Sequence, residues 1–236
     1  METKLEFNMQ QQPDDSTCGP TCLHAMYRYH GDDIALSQVI DETATLPEGG
    51  TLGVFLANHA LARGYEVSIY TYNLHVFDPS WFEVNHGQRA RLQQGLRAQM
   101  QHKNDPKLHA ASKAYIHFLD GGGRVRFVDL TTGLLSAHLV RGLPILTGLS
   151  ATYLYRSRRE TAASYVDDVR GEPVGHFVVL CGYDRRKRQV LVADPQAPTP
   201  HSDGHHYEIG VQRVLSAILL GVVTYDANLL MIWPKK

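Results

Sequence analysis

The 236-residue chain predicts an α+β fold whose helices and strands sit in separate layers rather than alternating βαβ units. Three observations carry this prediction. Apolar residues at helical spacing dominate the first half of the chain. After "RGLP" at 141–144 the texture changes to short β-rich runs separated by turn signals. Between these runs lies an irregular stretch, 151–173, long enough to read as a lid or binding loop. The chain is expected to form one domain, 1–236, helix-rich over 18–140 and sheet-rich over 141–236.

Taken in order, Cys22, Leu23, Met26, Tyr27 and His30 form one helical face from Cys18 onward, and Gly31 supplies the stop. "DIALSQVIDETA" continues with helical spacing. Gly49 and Gly50 predict a turn, followed by a helix capped at Thr51 and ended by Gly64. "YEVSIYTY" alternates and is rich in β-formers, so it reads as a strand. Residues 86–119 read as two helices broken near Asp105-Pro106. "GGGR" at 121–124 is a tight turn, followed by the strand "VRFV" and a helix across Thr131–Val140. "ILTGLS", "GHFVVLCGY", "RQVLVAD" and "NLLMIW" are the strands of the second half.

A hydrophobic fraction of 43% and a charged fraction of 20% describe an ordinary globular protein with ample core. A net charge of −1 offers no electrostatic reason for nucleic acid or an anionic membrane as partner. The segment "METKLEFNMQQQPDD" has no apolar run resembling an export signal, and the apolar run "VLSAILLGVV" is too short to cross a bilayer. With only three cysteines, reduced thiols and a cytoplasmic location are expected.

One cysteine stands apart. Cys18 opens the first helix behind a polar turn, with Gly19 and Pro20 just inside, where free N–H groups and the positive dipole end favour a thiolate. Cys22 and Cys181 fall within apolar patterns and read as core residues. A nucleophilic thiol needs a base, a group to orient the base, and donors for an oxyanion. His176 opens one strand and Asp194 ends the next, and the polar "DRRKR" between them predicts an antiparallel hairpin. A loop with an odd number of residues, such as the five from Tyr183 to Lys187, would pair 176 directly with 194; an even loop would turn Asp194 to the opposite face. Gln12, six positions before Cys18, is the candidate oxyanion donor, preferred over Gln10 and Gln11 by spacing alone, with the Cys18 backbone N–H as the second. Gly19, Gly175, Tyr153, Tyr155 and Arg156 are expected to border a substrate. Arg156, Arg158 and Arg159 read first as a solvated face and second as a clamp for a carboxylate. Glu48 and Asp78 could line a cleft, though no pattern demands it.

These motifs carry a resemblance. "QPDDSTCGPTCL", followed much later by "GHFVVLCGYD" and "VADP", resembles the papain-like cysteine peptidases that process bacteriocin leaders, and the stretch "GLPILTGLSATYLY" resembles their stand-alone branch. The resemblance covers 12–31, the turn at 49–51 and 142–195. It implies a papain-like fold with Cys18 as nucleophile, His176 as base, Asp194 as its orienter and Gln12 as oxyanion donor, acting on a peptide or protein substrate without a cofactor. The spacings are equally similar to those of phytochelatin synthase. Cys18 and His176 stand 158 residues apart, further than in the transporter-linked leader peptidases, so a double-glycine specificity is not implied.

Rival readings are an acyltransferase or transpeptidase on the same fold, and a non-catalytic peptide-binding module. A third is a zinc protein using Cys18, Cys22 and the histidines of "HSDGHHYE". That segment, with His201, His205 and His206, is expected to be a solvated loop with no metal role. "CGPTC" has no second cysteine pair to complete a zinc site.

Overall fold

The computed structural model describes residues 2–47, 49–83 and 86–235. An eight-stranded sheet forms its centre: β1 (Glu2–Lys4), β2 (Tyr65–Thr71), β3 (Arg124–Arg126), β4 (Ile145–Ser150), β5 (Gly175–Asp184), β6 (Gln189–Ala193), β7 (His206–Gly210) and β8 (Asn228–Pro234). Their order across the sheet is β3-β2-β8-β4-β5-β6-β7, and β1 pairs with the end of β5 beyond the reach of β4. Every pairing is antiparallel except β2 with β3.

Helices cover both faces of this sheet. On one face lie α1 (Cys18–Tyr29), α2 (Leu36–Glu42), α3 (Gly53–Ala62), α4 (Gln88–His102) and α5 (Pro106–Asp120), packed on Val67, Ile69, Phe177, Val179, Leu230 and Ile232. On the other lie α6 (Thr132–Leu139), α7 (Ala151–Tyr155) and α8 (Val211–Leu220), packed on Ile145, Leu149, Val178, Leu180, Leu229 and Met231. A strand buried on both sides needs apolar residues at consecutive positions, which is why "ILTGLS" and "HFVVLCGY" read as runs rather than alternations. Each fully buried Leu, Val or Phe contributes roughly 1.5–3 kcal/mol.

Most expected elements are present, including the break at Asp105-Pro106, where Asp105 accepts from Lys107 N and Leu108 N. The expected strands of the first half are there as β2 and β3, which complete the sheet. Three expectations need correction. Thr51 caps no helix: its hydroxyl donates to the Ala44 carbonyl, and α3 begins at Gly53. The second half contains α8 and begins its supposed irregular stretch with α7. The rest of that stretch bonds to itself: Glu160 and Glu172 exchange backbone hydrogen bonds, and Asp167 N donates to Arg159 O.

The hairpin differs in a way that matters for the site. Its loop, Arg185–Arg188, has an even number of residues, and on parity alone this would turn Asp194 away from His176. A β-bulge at Cys181 adds one residue to β5, shifting the register between Leu180–Val192 and Gly182–Leu191. The two departures cancel. Beyond the bulge Val179 faces Ala193, so the pleat puts Asp194 on the same face as His176, as its diagonal neighbour rather than its direct partner. The Cys181 carbonyl accepts from Leu5 N, just past β1, which covers the bulge.

Candidate active site

The entrance to α1 is built by a turn on the Asp14 carbonyl, which accepts from Thr17 Oγ1 at 3.0 Å and from Gln12 Nε2 at 2.9 Å. Thr17, the residue before the helix, makes no side-chain cap, so the Cys18 and Gly19 N–H groups keep their dipole end unscreened by a capping oxygen. Gln12 is buried and tied by its backbone N–H to the Pro195 carbonyl at 2.9 Å, which brings it beside the Asp194 turn. Its Nε2 commits one of two hydrogens to Asp14, and its Oε1 is buried without a partner among the described residues.

The first turn of α1 packs on the start of β5. Cys22 Sγ donates to the Phe177 carbonyl at 3.3 Å. A Cβ at position 19 would stand 2.6 Å from Thr51 Cγ2 and 3.2 Å from the Phe177 ring. This packing sets Cys18 near enough to His176 for the thiol to be one of the groups that raise the imidazole. His176 Nε2 donates to Asp194 Oδ1 at 2.8 Å. Because a carboxylate only accepts, Nε2 carries the hydrogen and Nδ1 is left for the sulfur. Burial disfavours the charged ring, but the Asp194 carboxylate and Cys18 outweigh it and hold His176 well above its ordinary value.

Asp194 is fully buried. Burial pushes its carboxyl up, yet His176 and the hydrogen bonds around it prevail and hold it below the usual carboxylate range. Oδ1 also accepts from Gln196 N at 3.0 Å, while Oδ2 accepts from Tyr155 Oη at 2.6 Å and Tyr207 Oη at 2.8 Å. The Asp194 backbone is gripped as well: its N–H donates to the His205 carbonyl and its carbonyl accepts from His205 Nδ1, both at 2.8 Å.

The structure therefore brings together Cys18, His176 and Asp194, and sets Gln12 on the turn leading into Cys18. Other expected residues are placed differently. Gly19 is buried, and its missing side chain answers to Thr51, Leu56 and Phe177 rather than to an approaching substrate. Gly175 is likewise demanded by packing, since a Cβ there would meet Thr224 Oγ1 at 2.8 Å. Tyr155 gives its hydroxyl to Asp194 instead of leaving it free for a substrate. Tyr153 and Arg156 are exposed at the root of the long loop, Arg156 in the left-handed region with φ 56°. Asp78 caps a short 3-10 turn away from the cluster, and Glu48 lies outside the described residues.

The "HSDGHHYE" segment is a partly exposed loop only as far as His205. His206–Gly210 form β7, and each of the three histidines uses a ring nitrogen on a backbone carbonyl: His201 on Leu154, His205 on Asp194, His206 on Phe7. Tyr207, which sequence reasoning missed, follows the exposed–buried alternation of β7, and that period of two was its available signal. Elsewhere, a groove of about 740 Å³ lies between α2, α3 and α5, bordered by Glu42, His59, Arg63 and Lys113; none of the cluster residues lines it.

Fold and site together define an α+β protein with a cysteine at a helix head and a histidine–aspartate pair on the sheet. The model of the Peptidase_C39 like family matches residues 93–214, just over half of the chain, and the protein belongs to that family. The matched span includes His176 and Asp194 and leaves Gln12 and Cys18 outside it. Among solved structures, the chain is similar to the peptidase domain of Streptococcus ComA, a bifunctional ABC transporter involved in quorum sensing. Identity there is 13%, covering 98% of this chain and 100% of that one, with a TM-score of 0.47. It is also similar to xylellain, a cysteine protease from Xylella fastidiosa, at 12% identity, covering 100% of this chain and 86% of that one, with a TM-score of 0.49. No curated protein sequence matches the chain. No helix among the described residues is long and apolar enough to cross a membrane.

Proposed function

We propose that the protein is a cysteine peptidase that cleaves an amide bond of a peptide or protein through Cys18, His176 and Asp194. The observation that carries this reading is the placement of His176, its Nε2–H on a buried carboxylate at 2.8 Å and the thiol of an uncapped helix head among the groups that raise its imidazole. The raised His176 keeps the ring protonated.

The Cys18 thiolate attacks the carbonyl carbon, forming a C–S bond and moving the carbonyl electron pair onto oxygen. The Cys18 N–H and the second hydrogen of Gln12 Nε2 receive that oxyanion. As the electron pair returns, the C–N bond breaks and the His176 Nδ1 proton goes to the leaving amine. His176 then takes a proton from water, whose oxygen attacks the thioester; the acid departs and the thiolate–imidazolium pair is restored. The loop after α7 exposes Tyr165, Val166 and Val169, and such an apolar stretch suits contact with a peptide chain.

The test is intact-mass detection of a mild iodoacetamide pulse across pH 5 to 9. Wild type takes one rapid label near pH 6, and Cys18→Ala takes none. His176→Ala labels about 300-fold more slowly at pH 6, the thiolate deficit of an ordinary thiol. Slow labelling shared among the cysteines and indifferent to His176 would sink the reading.

A further inference from the structure

A fully buried carboxylate has about four lone-pair directions, and each one left empty is costly. At Asp194 all four are filled, two on Oδ1 by His176 and Gln196 and two on Oδ2 by Tyr155 and Tyr207. The two phenols come from different elements of the second half. Tyr155 ends α7, at the root of the long loop, and Tyr207 sits in β7. His201 binds them into one unit: its ring lies 6.0 Å from that of Tyr155 and 5.1 Å from that of Tyr207, while its Nε2 bonds the Leu154 carbonyl. The chain returns from the same loop at Gly175, immediately before His176, so both ends of the loop are fastened to the histidine–aspartate pair.

We propose that Tyr155 and Tyr207 are positioning residues that hold Asp194 ionised and turned toward His176, with His201 keeping the two rings in place. A phenol has one hydrogen, and both hydrogens are committed to Oδ2. This prevents the carboxylate from turning over and leaves Oδ1 as the only oxygen facing the imidazole. Burial pushes both tyrosines far above their ordinary range, so they remain donors wherever the protein is folded. The role rests on the peptidase reading for its purpose, but the hydrogen-bonding claim stands or falls alone.

The experiment compares the full chain as wild type, Tyr155→Phe, Tyr207→Phe and the double variant between about pH 3 and pH 10. Two quantities are followed: the rate of Cys18 alkylation by iodoacetamide, and the ¹³C shift of the Asp194 carboxyl, assigned with Asp194→Asn. Each lost phenol removes a hydrogen bond to a charged acceptor. The carboxyl midpoint and the acidic limb of alkylation should both rise by about one pH unit per variant, and by more in the double variant. A purely structural role would lower the melting temperature and leave both midpoints in place, which overturns the proposal. If wild-type Cys18 is not selectively reactive at any pH, the peptidase reading fails, and the carboxyl midpoint alone decides the role of the tyrosines.

Discussion

Asp194 and Asp226 are both buried, 0% and 6% exposed, and they are held in opposite states. Asp194 accepts four hydrogen bonds and faces an imidazole. Among the described residues the Asp226 carboxylate accepts one, from Gly53 N at the head of α3, at 3.3 Å. Burial raises both carboxyls, but only at Asp194 do the donors overcome it; Asp226 is pushed up to about 7 despite Gly53 and Lys107. Burial sets a penalty common to both sites, and the number of donors decides which group carries a charge. The site acid has its charge balanced in place. The other is a neutral side chain below about neutral pH and a strained anion above it.

The strongest way to break this contrast is Asp194→Ala. Removing the acceptor strands His176, two phenols and Gln196 N, and losing one partner of a buried pair costs about 3–5 kcal/mol. Urea denaturation at pH 7 should show that loss. A difference under about 1 kcal/mol would mean that the four donors balance no charge. Asp226→Asn should act in the opposite sense as pH rises. Below the unfolded value of 3.8 both states of Asp226 are protonated and wild type is unaffected. Between there and about 7 the folded chain binds the extra proton, so wild-type stability falls with pH and then levels off. The variant lacks this loss and should gain on wild type by up to about 4 kcal/mol across that window. Parallel stability curves for the two proteins would place the Asp226 carboxyl in its ordinary range.

The contrast also marks how much of the site could be read from the sequence. Cys18, His176 and Asp194 were legible because their chemistry is rare and their order simple: a thiol at a helix entrance, an imidazole opening one strand, a carboxylate ending the next. That 176 and 194 share a face was legible only as a condition on loop parity. The actual route was hidden, because an even loop and a bulge each shift the register and their effects cancel. Gly182 inside an apolar strand was the one local sign of that bulge. The shell around Asp194 was obscured for another reason. Three histidines within six residues suggest solvent or metal by composition, and composition does not reveal that each ring would end a backbone hydrogen bond. Helix α8 carries Val211, Val214, Leu215 and Ile218 at helical spacing, a pattern legible in principle but eclipsed by the question of a membrane span. Asp226 gave no signal at all, since nothing in "TYDANLL" shows that the chain folds into the gap left by a glycine on another strand.

That glycine offers the smallest and most local test. Gly148 lies in the middle of β4, opposite Phe177, where any side chain would normally help the sheet. A Cβ there would stand 2.5 Å from Asp226 Cβ, 2.7 Å from its carbonyl oxygen and 3.0 Å from the Phe177 ring. Backbone cannot yield as a flexible side-chain tip can, so the segment at 226 must move outward in Gly148→Ala. Overpacking of this kind costs about 1–3 kcal/mol. The displacement should also lengthen an already long contact with Gly53 N and loosen the packing around Asp226. The variant should therefore lose stability at every pH, and lose less than wild type as pH rises from 4 to 7, because a less enclosed carboxyl ionises at smaller cost. If Gly148→Ala keeps the full wild-type pH slope, Asp226 is enclosed by something other than its fit against β4. If it keeps wild-type stability as well, the close approach of the two segments is not what holds Asp226 in place.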